Sequence, residues 1–160
     1  MPVKSKSLIL VCVLALSLAL PAAASASFNP TTYRTNLLHY INHYRAMHGR
    51  HALVWNTHLQ RAASAHSTNM ATHHMFSHSS YSGVSWAQRI RWYGFRGRVI
   101  GENLAVGQVW AWTVLHMWVN SAPHRYNLLY APYRSIGIGV VRGVWQGHWA
   151  FYVTADFGTP

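Results

Sequence analysis

The sequence predicts an α+β domain, and three observations carry that expectation. Apolar residues recur at helical spacing between residues 32 and 120, the last part of the chain is built of β-branched and aromatic runs broken by glycine, and helices and strands do not alternate as a parallel α/β sheet requires. The chain has 160 residues, 51% of them hydrophobic, with eight Trp and nine Tyr, which suffices for one packed core. Neither an internal repeat nor a linker divides it.

Residues 1–26 read as a secretory signal peptide. Lys4 and Lys6 supply the positive start, Leu8 to Leu20 the apolar stretch, and Ala24-Ser25-Ala26 the small-residue cleavage pattern, so that the mature chain, 27–160, begins at Ser27. The apolar stretch, interrupted by Ser17, is shorter than the roughly 20 residues of a membrane span, and no transmembrane segment is expected in the mature chain. Cys12 follows Val11, where a lipoprotein signal needs a small residue. As the only cysteine, it leaves with the leader, and disulfides and cysteine catalysis leave with it.

In the mature chain Thr31 and Thr32 offer caps for a first helix over about 32–48, with Leu37, Ile41, Tyr44 and His48 at helical spacing and Gly49 as its stop. Thr57 is expected to cap a second helix, to about Thr72, with Leu59, Ala62, Ala63, His66 and Met70 on one face. The His- and Ser-rich segment 73–83 has no sustained period and reads as a loop. Ser85 caps a short third helix through Tyr93, and residues 95–107 read as irregular structure or a short strand. A fourth helix over about 109–120 presents Trp112, Leu115 and Val119, and Pro123 ends it. Trp110, Trp112 and Trp118 are expected to pack in the core. Ile136 to Val141 and Trp149 to Asp156 then form a hairpin around Gly143 and Gly147.

Four segments in order are distinctive: Phe76-Ser77-His78; Gly101-Glu102-Asn103-Leu104-Ala105; Trp118 through His124-Arg125 to Asn127-Leu128-Leu129; and Tyr133-Arg134-Ser135-Ile136-Gly137-Ile138-Gly139. With the closing Phe151 to Gly158 they resemble the short bacterial members of the CAP superfamily, also called SCP or TAPS, the group of cysteine-rich secretory, antigen 5 and pathogenesis-related proteins. The resemblance covers about 33–158. It implies a three-layer α-β-α sandwich around a small, mostly antiparallel sheet, and a cleft where His78, Glu102 and His124 converge. In larger members a second acid follows the Trp of the fourth helix; Ser121 stands there in this chain.

Two imidazoles and a carboxylate suit a divalent metal such as zinc, weakly held, with an open position able to activate water. The competing reading makes Glu102 a structural partner of His78 or His124, or of backbone amides. Asn103 and Asn127 are expected to fix loops, with Trp118 as part of the motif, and Asp156 is expected to be structural. His73 and His74 are expected to face solvent. A serine hydrolase lacks its G-x-S-x-G elbow.

Without its two lysines the chain has 11 Arg against Glu102 and Asp156, a net charge of +9 with His neutral. Such a surface favours anionic partners. The arginines are scattered, only 89–98 being dense, and no nucleic-acid-binding motif accompanies them, so nucleic acid is disfavoured. With so few carboxylates to protonate, an acidic secreted or periplasmic setting is expected. Two functions stand side by side. One is a secreted protein whose cleft binds metal, or a small apolar or cell-envelope ligand; the other is a metal-assisted hydrolase of peptide or envelope polymer, with Glu102 as base.

Overall fold

The structure, a computed structural model, describes residues 28–107 and 110–159; the signal peptide and its cleavage point lie outside them. Helix α1 spans Pro30–Met47. Its cap is Asn29, ahead of the two threonines expected, because the Asn29 Oδ1 reaches the amides of Thr31 (2.9 Å) and Thr32 (3.1 Å). Pro30 then sits in the first turn, where its missing N–H costs nothing. A two-residue strand, β1 (Val54–Trp55), was not anticipated. Helix α2 (Thr57–Thr72) starts one residue after its cap, which is Asn56 rather than Thr57, and buries the predicted face. Ser85 and Gln88 close a capping box at the start of α3 (Trp86–Trp92).

The stretch read as irregular structure or a short strand holds a strand of eight residues, β2 (Ile100–Gly107). The expected fourth helix is shorter, α4 (Ala111–Val119), and buries Ala111, Val114 and Trp118, not the predicted stripe. Trp110 and Trp112 are correspondingly exposed, contrary to the core role expected of them. Pro123 does not end this region. It lies in the first turn of a further helix, α5 (Ala122–Leu129). The hairpin strands, β3 (Ser135–Trp145) and β4 (His148–Gly158), are longer than expected and run through Gly143. They turn at Gln146 (φ 50°) and Gly147 (φ 81°), whose paired positive φ values match the twist of a tight hairpin.

The sheet order is β1-β3-β4-β2, with β1 parallel to β3 and the other pairs antiparallel. Side chains alternate between its faces. Val153, Ala155 and Phe157 of β4 join Leu37 and Ile41 of α1, Trp118 of α4 and Leu128 of α5 in the main core. On the other face Leu104 and Tyr152 pack with Met70 of α2, and α2 with α3 forms a cluster of Leu59, Ala62, Ile90 and Phe95. The result is a three-layer α-β-α sandwich. Helix α2 lies so close to β3 that a Cβ on Gly137 or Gly139 would collide with the backbone of Leu59, Gln60 and Ala63. Gln60 exploits the proximity by donating to Ile138 O (2.7 Å) and accepting from Ile138 N (3.1 Å), which occupies β3 where β1 has ended. Among the described residues no helix is long and apolar enough to cross a membrane.

Candidate functional site

Strand β2 is an edge strand, and the two helical layers meet beyond it. Alternation sends Glu102 toward α2 and α3, and Asn103 toward α5. On the α5 side, Asn103 Nδ2 donates to the His124 carbonyl (3.0 Å), and Asn127 Nδ2 donates to Glu102 O (3.1 Å) and Asn103 Oδ1 (2.9 Å). Trp118 Nε1 donates to Leu104 O (2.8 Å). These three side chains use the free edge of β2 to hang α4 and α5 beside it.

On the α2/α3 side the Glu102 side chain is 1% exposed, and both its oxygens are occupied. His78, from the loop after α2, places Nδ1 2.7 Å from Oε1. A carboxylate only accepts, so His78 donates from Nδ1 and keeps Nε2 for the outside. Arg89 of α3, itself buried, donates from Nη2 to Oε2. The sequence reading missed Arg89. The available signal was that a chain with two acids must find a cation for any acid it buries, and the Ser85 cap places Arg89 next to the inward-facing Ile90.

Asp156 lies directly across from Glu102 in the β2/β4 register and is fully buried. Among the described residues no donor faces either of its oxygens. Burial first, and then the neighbouring Glu102 charge, push its pKa well above the usual carboxylate range, with Arg89 opposing. Protonated, it can donate to the neighbouring Glu102. The second acid of this site therefore comes from β4, not from the position of Ser121. His66 of α2 completes the buried group: it donates from Nε2 to Ser77 O (2.7 Å), its Nδ1 has no partner, and burial lowers its pKa to about 4.

His124 approaches from the opposite layer. Its Nδ1 is 2.8 Å from Ser121 Oγ, which leaves Nε2 as the remaining ring nitrogen. Burial lowers its pKa, and the nearby His78 lowers it further. A groove of about 410 Å³ lies along the edge strand, walled by His78, Glu102, Trp86, Tyr126, Asn127 and Tyr130; His124 does not line it. No group of three or more His, Asp and Glu side chains among the described residues is arranged to hold a metal. The Nε2 atoms of His78 and His124 are the ring nitrogens not used in the hydrogen bonds to Glu102 and Ser121. His73 and His74 are exposed and stand apart, His73 stacked on Tyr81.

The layer order, the edge-strand groove and the His–Glu–Arg set beside it define a small α-β-α domain with its site at the sheet edge. Residues 38–157 match the cysteine-rich secretory protein family, CAP, and the chain belongs to that family. It is 30% identical over 117 residues to the uncharacterized protein YkwD of Bacillus subtilis, and 32% identical over 112 residues to the uncharacterized membrane protein YlbC of the same organism. Those matches cover 73% and 70% of this chain but only 46% and 32% of the relatives, so the chain spans less than half the length of either. Among solved structures it is similar to an extracellular SCP-domain protein of Bacillus anthracis (TM-score 0.70, 26% identity, 82% of this chain and 41% of that one). It also shares its fold with an outer surface protein of Borrelia burgdorferi (TM-score 0.70, 21% identity, 82% and 96%).

Proposed function

We propose that this CAP domain works outside the cytoplasm as a ligand-binding protein, taking a small apolar or cell-envelope molecule into the groove beside β2. The observation that carries the reading is the composition of that groove. Aromatic walls from Trp86, Tyr126 and Tyr130 surround a few placed polar groups, His78 and Asn127 among them, which is the make-up of a small-molecule site. The extracellular description of the Bacillus anthracis relative and the leader-like residues 1–26 support the location.

Within this site His78 presents Nε2 to the ligand and Glu102 fixes its ring. A divalent metal such as zinc, held weakly by His78 and His124 through Nε2, would supply a Lewis acid able to polarise a carbonyl. Neutral imidazole is required for that binding, so it weakens in acid. The hydrolase reading is kept alive by one feature, the His78–Glu102 hydrogen bond, which is the arrangement of a general base with its orienting carboxylate. In that reading the base is His78. Glu102, buried and doubly bonded, is the orienting group rather than the base expected of it.

Solvent extraction and mass spectrometry of protein purified from its native host test the proposal. The expected result is a small molecule recovered in stoichiometric amount from the wild type and lost from Trp86→Ala. Recovery of nothing, together with hydrolysis of envelope polymer that His78→Gln abolishes, would establish the alternative.

A further inference from the structure

A second groove, of about 510 Å³, lies between the end of α1 and helix α5. We infer that it binds a linear phosphodiester polymer, whose chain continues past Tyr126 and Tyr130 toward the His78 groove; this deepens, and rests on, the reading of the His78 groove as a ligand site. Arg50, just beyond Gly49, and Arg125, in the first turn of α5, are both exposed and line it. Arg125 spends one nitrogen on Val119 O, and the Arg50 side chain meets no hydrogen-bond partner among the described residues.

Among the described residues no acidic side chain faces the charge around this groove. Arg45 lies buried behind it, its guanidinium committed to the carbonyls of His51, Leu128, Tyr130 and Tyr133. Arg50 and Arg134 stand near enough to repel it and, after burial, help to lower its pKa to about 10. Four guanidiniums thus share one region. The only two carboxylate side chains in the sequence, Glu102 and Asp156, are both buried beneath α2 and α3. A guanidinium is a planar fork of donors matched to phosphate, and an anion entering here meets no competing acid.

The shape favours a chain over a membrane. A bilayer meets a convex or flat face, whereas Arg50 and Arg125 sit on the walls of a concavity. Tyr126 and Tyr130 line both this groove and the His78 groove, so the two adjoin at those rings. The rings are 5.4 Å apart and offer apolar surface for the sugar or polyol units between phosphates.

Fluorescently labelled poly(glycerol phosphate), titrated with the protein at about 0.15 M salt, tests the inference. The double variant Arg50→Gln/Arg125→Gln is expected to raise Kd by at least about tenfold, and Arg96→Gln/Arg98→Gln, which removes the same charge elsewhere, by less than about twofold. Absence of binding by the wild type would overturn the proposal. So would equal losses in the two double variants, or binding to phosphatidylglycerol vesicles with the polymer ignored. Trp86 lines the His78 groove alone. Retention of polymer binding by Trp86→Ala, alongside loss of the co-purified molecule, supports two adjoining sites; retention of the co-purified molecule counts against the His78 reading and not against this one.

Discussion

Glu102 is bonded to His78 through one oxygen and to Arg89 through the other, and this sets what mutagenesis can reveal. Glu102→Gln strands a buried guanidinium, so it is expected to cost about 3–5 kcal/mol of stability, visible in a urea titration, and any functional loss will be confounded with unfolding. His78→Gln is the informative change: its side chain is 52% exposed, and stability should move by no more than about 1 kcal/mol. Asp156 behaves differently. A group whose folded pKa is raised gives stability that is fully present at low pH and is lost as pH climbs through the folded value. Asp156→Asn, which imitates the protonated form, should therefore match the wild type near pH 3, below the ordinary value of 3.8, and exceed it at pH 8.5. A wild type more stable at pH 8.5 than the variant would show that Asp156 is charged. The sequence allowed the Glu102–His78 pairing as one of two readings, but neither Arg89 nor the state of Asp156 was legible in it. His78, Glu102 and His124 could be read from local motifs, but the neighbour of Glu102 on β4 depends on a register set 54 residues away in the chain.

At the scale of elements, local chemistry predicted what local chemistry controls. The Ser85 cap, the buried stripe of α2 and the hairpin were legible because each depends on residues a few positions apart. Helix α5 was missed because proline both ends helices and begins them, and Pro123 does the latter. The α4 stripe was misplaced because the helix starts at Ala111, and its contact face is chosen by α1 and β2. The tightest joint in the fold is α2 against β3. Gly139→Ala pushes a methyl into the Ala63 carbonyl, and since backbone cannot yield as a side chain can, a loss of about 1–3 kcal/mol or more is expected in the urea midpoint. An unchanged midpoint would mean that the two elements are further apart than described.

For the whole molecule, acid tolerance depends on how its histidines are placed. Ten of the 12 are exposed, as tolerance requires, His124 is half-buried, and His66 is fully buried. With a folded pKa near 4 against an ordinary value of 6.5, His66 takes up its proton more readily in the unfolded chain across that interval. Stability contributed by the neutral ring is complete above pH 6.5 and falls as pH drops toward 4, by roughly 3 kcal/mol. Replacing it by Leu should flatten the acid limb of a stability-against-pH curve; an unaltered limb would assign the acid response elsewhere. The acidic setting expected from the scarcity of carboxylates thus meets internal opposition from His66, with His124 shifted in the same direction, which composition alone did not reveal.

The central claim is that His78 is held by Glu102 so that its Nε2 faces the ligand groove. Nitrogen-15 NMR of the histidine rings at pH 8, above the ordinary imidazole range, tests it most directly. The account predicts a His78 ring protonated at Nδ1, with an Nε2 resonance that shifts when zinc or the extracted ligand is added. A ring protonated at Nε2, or one whose Nε2 resonance is indifferent to both, would contradict it.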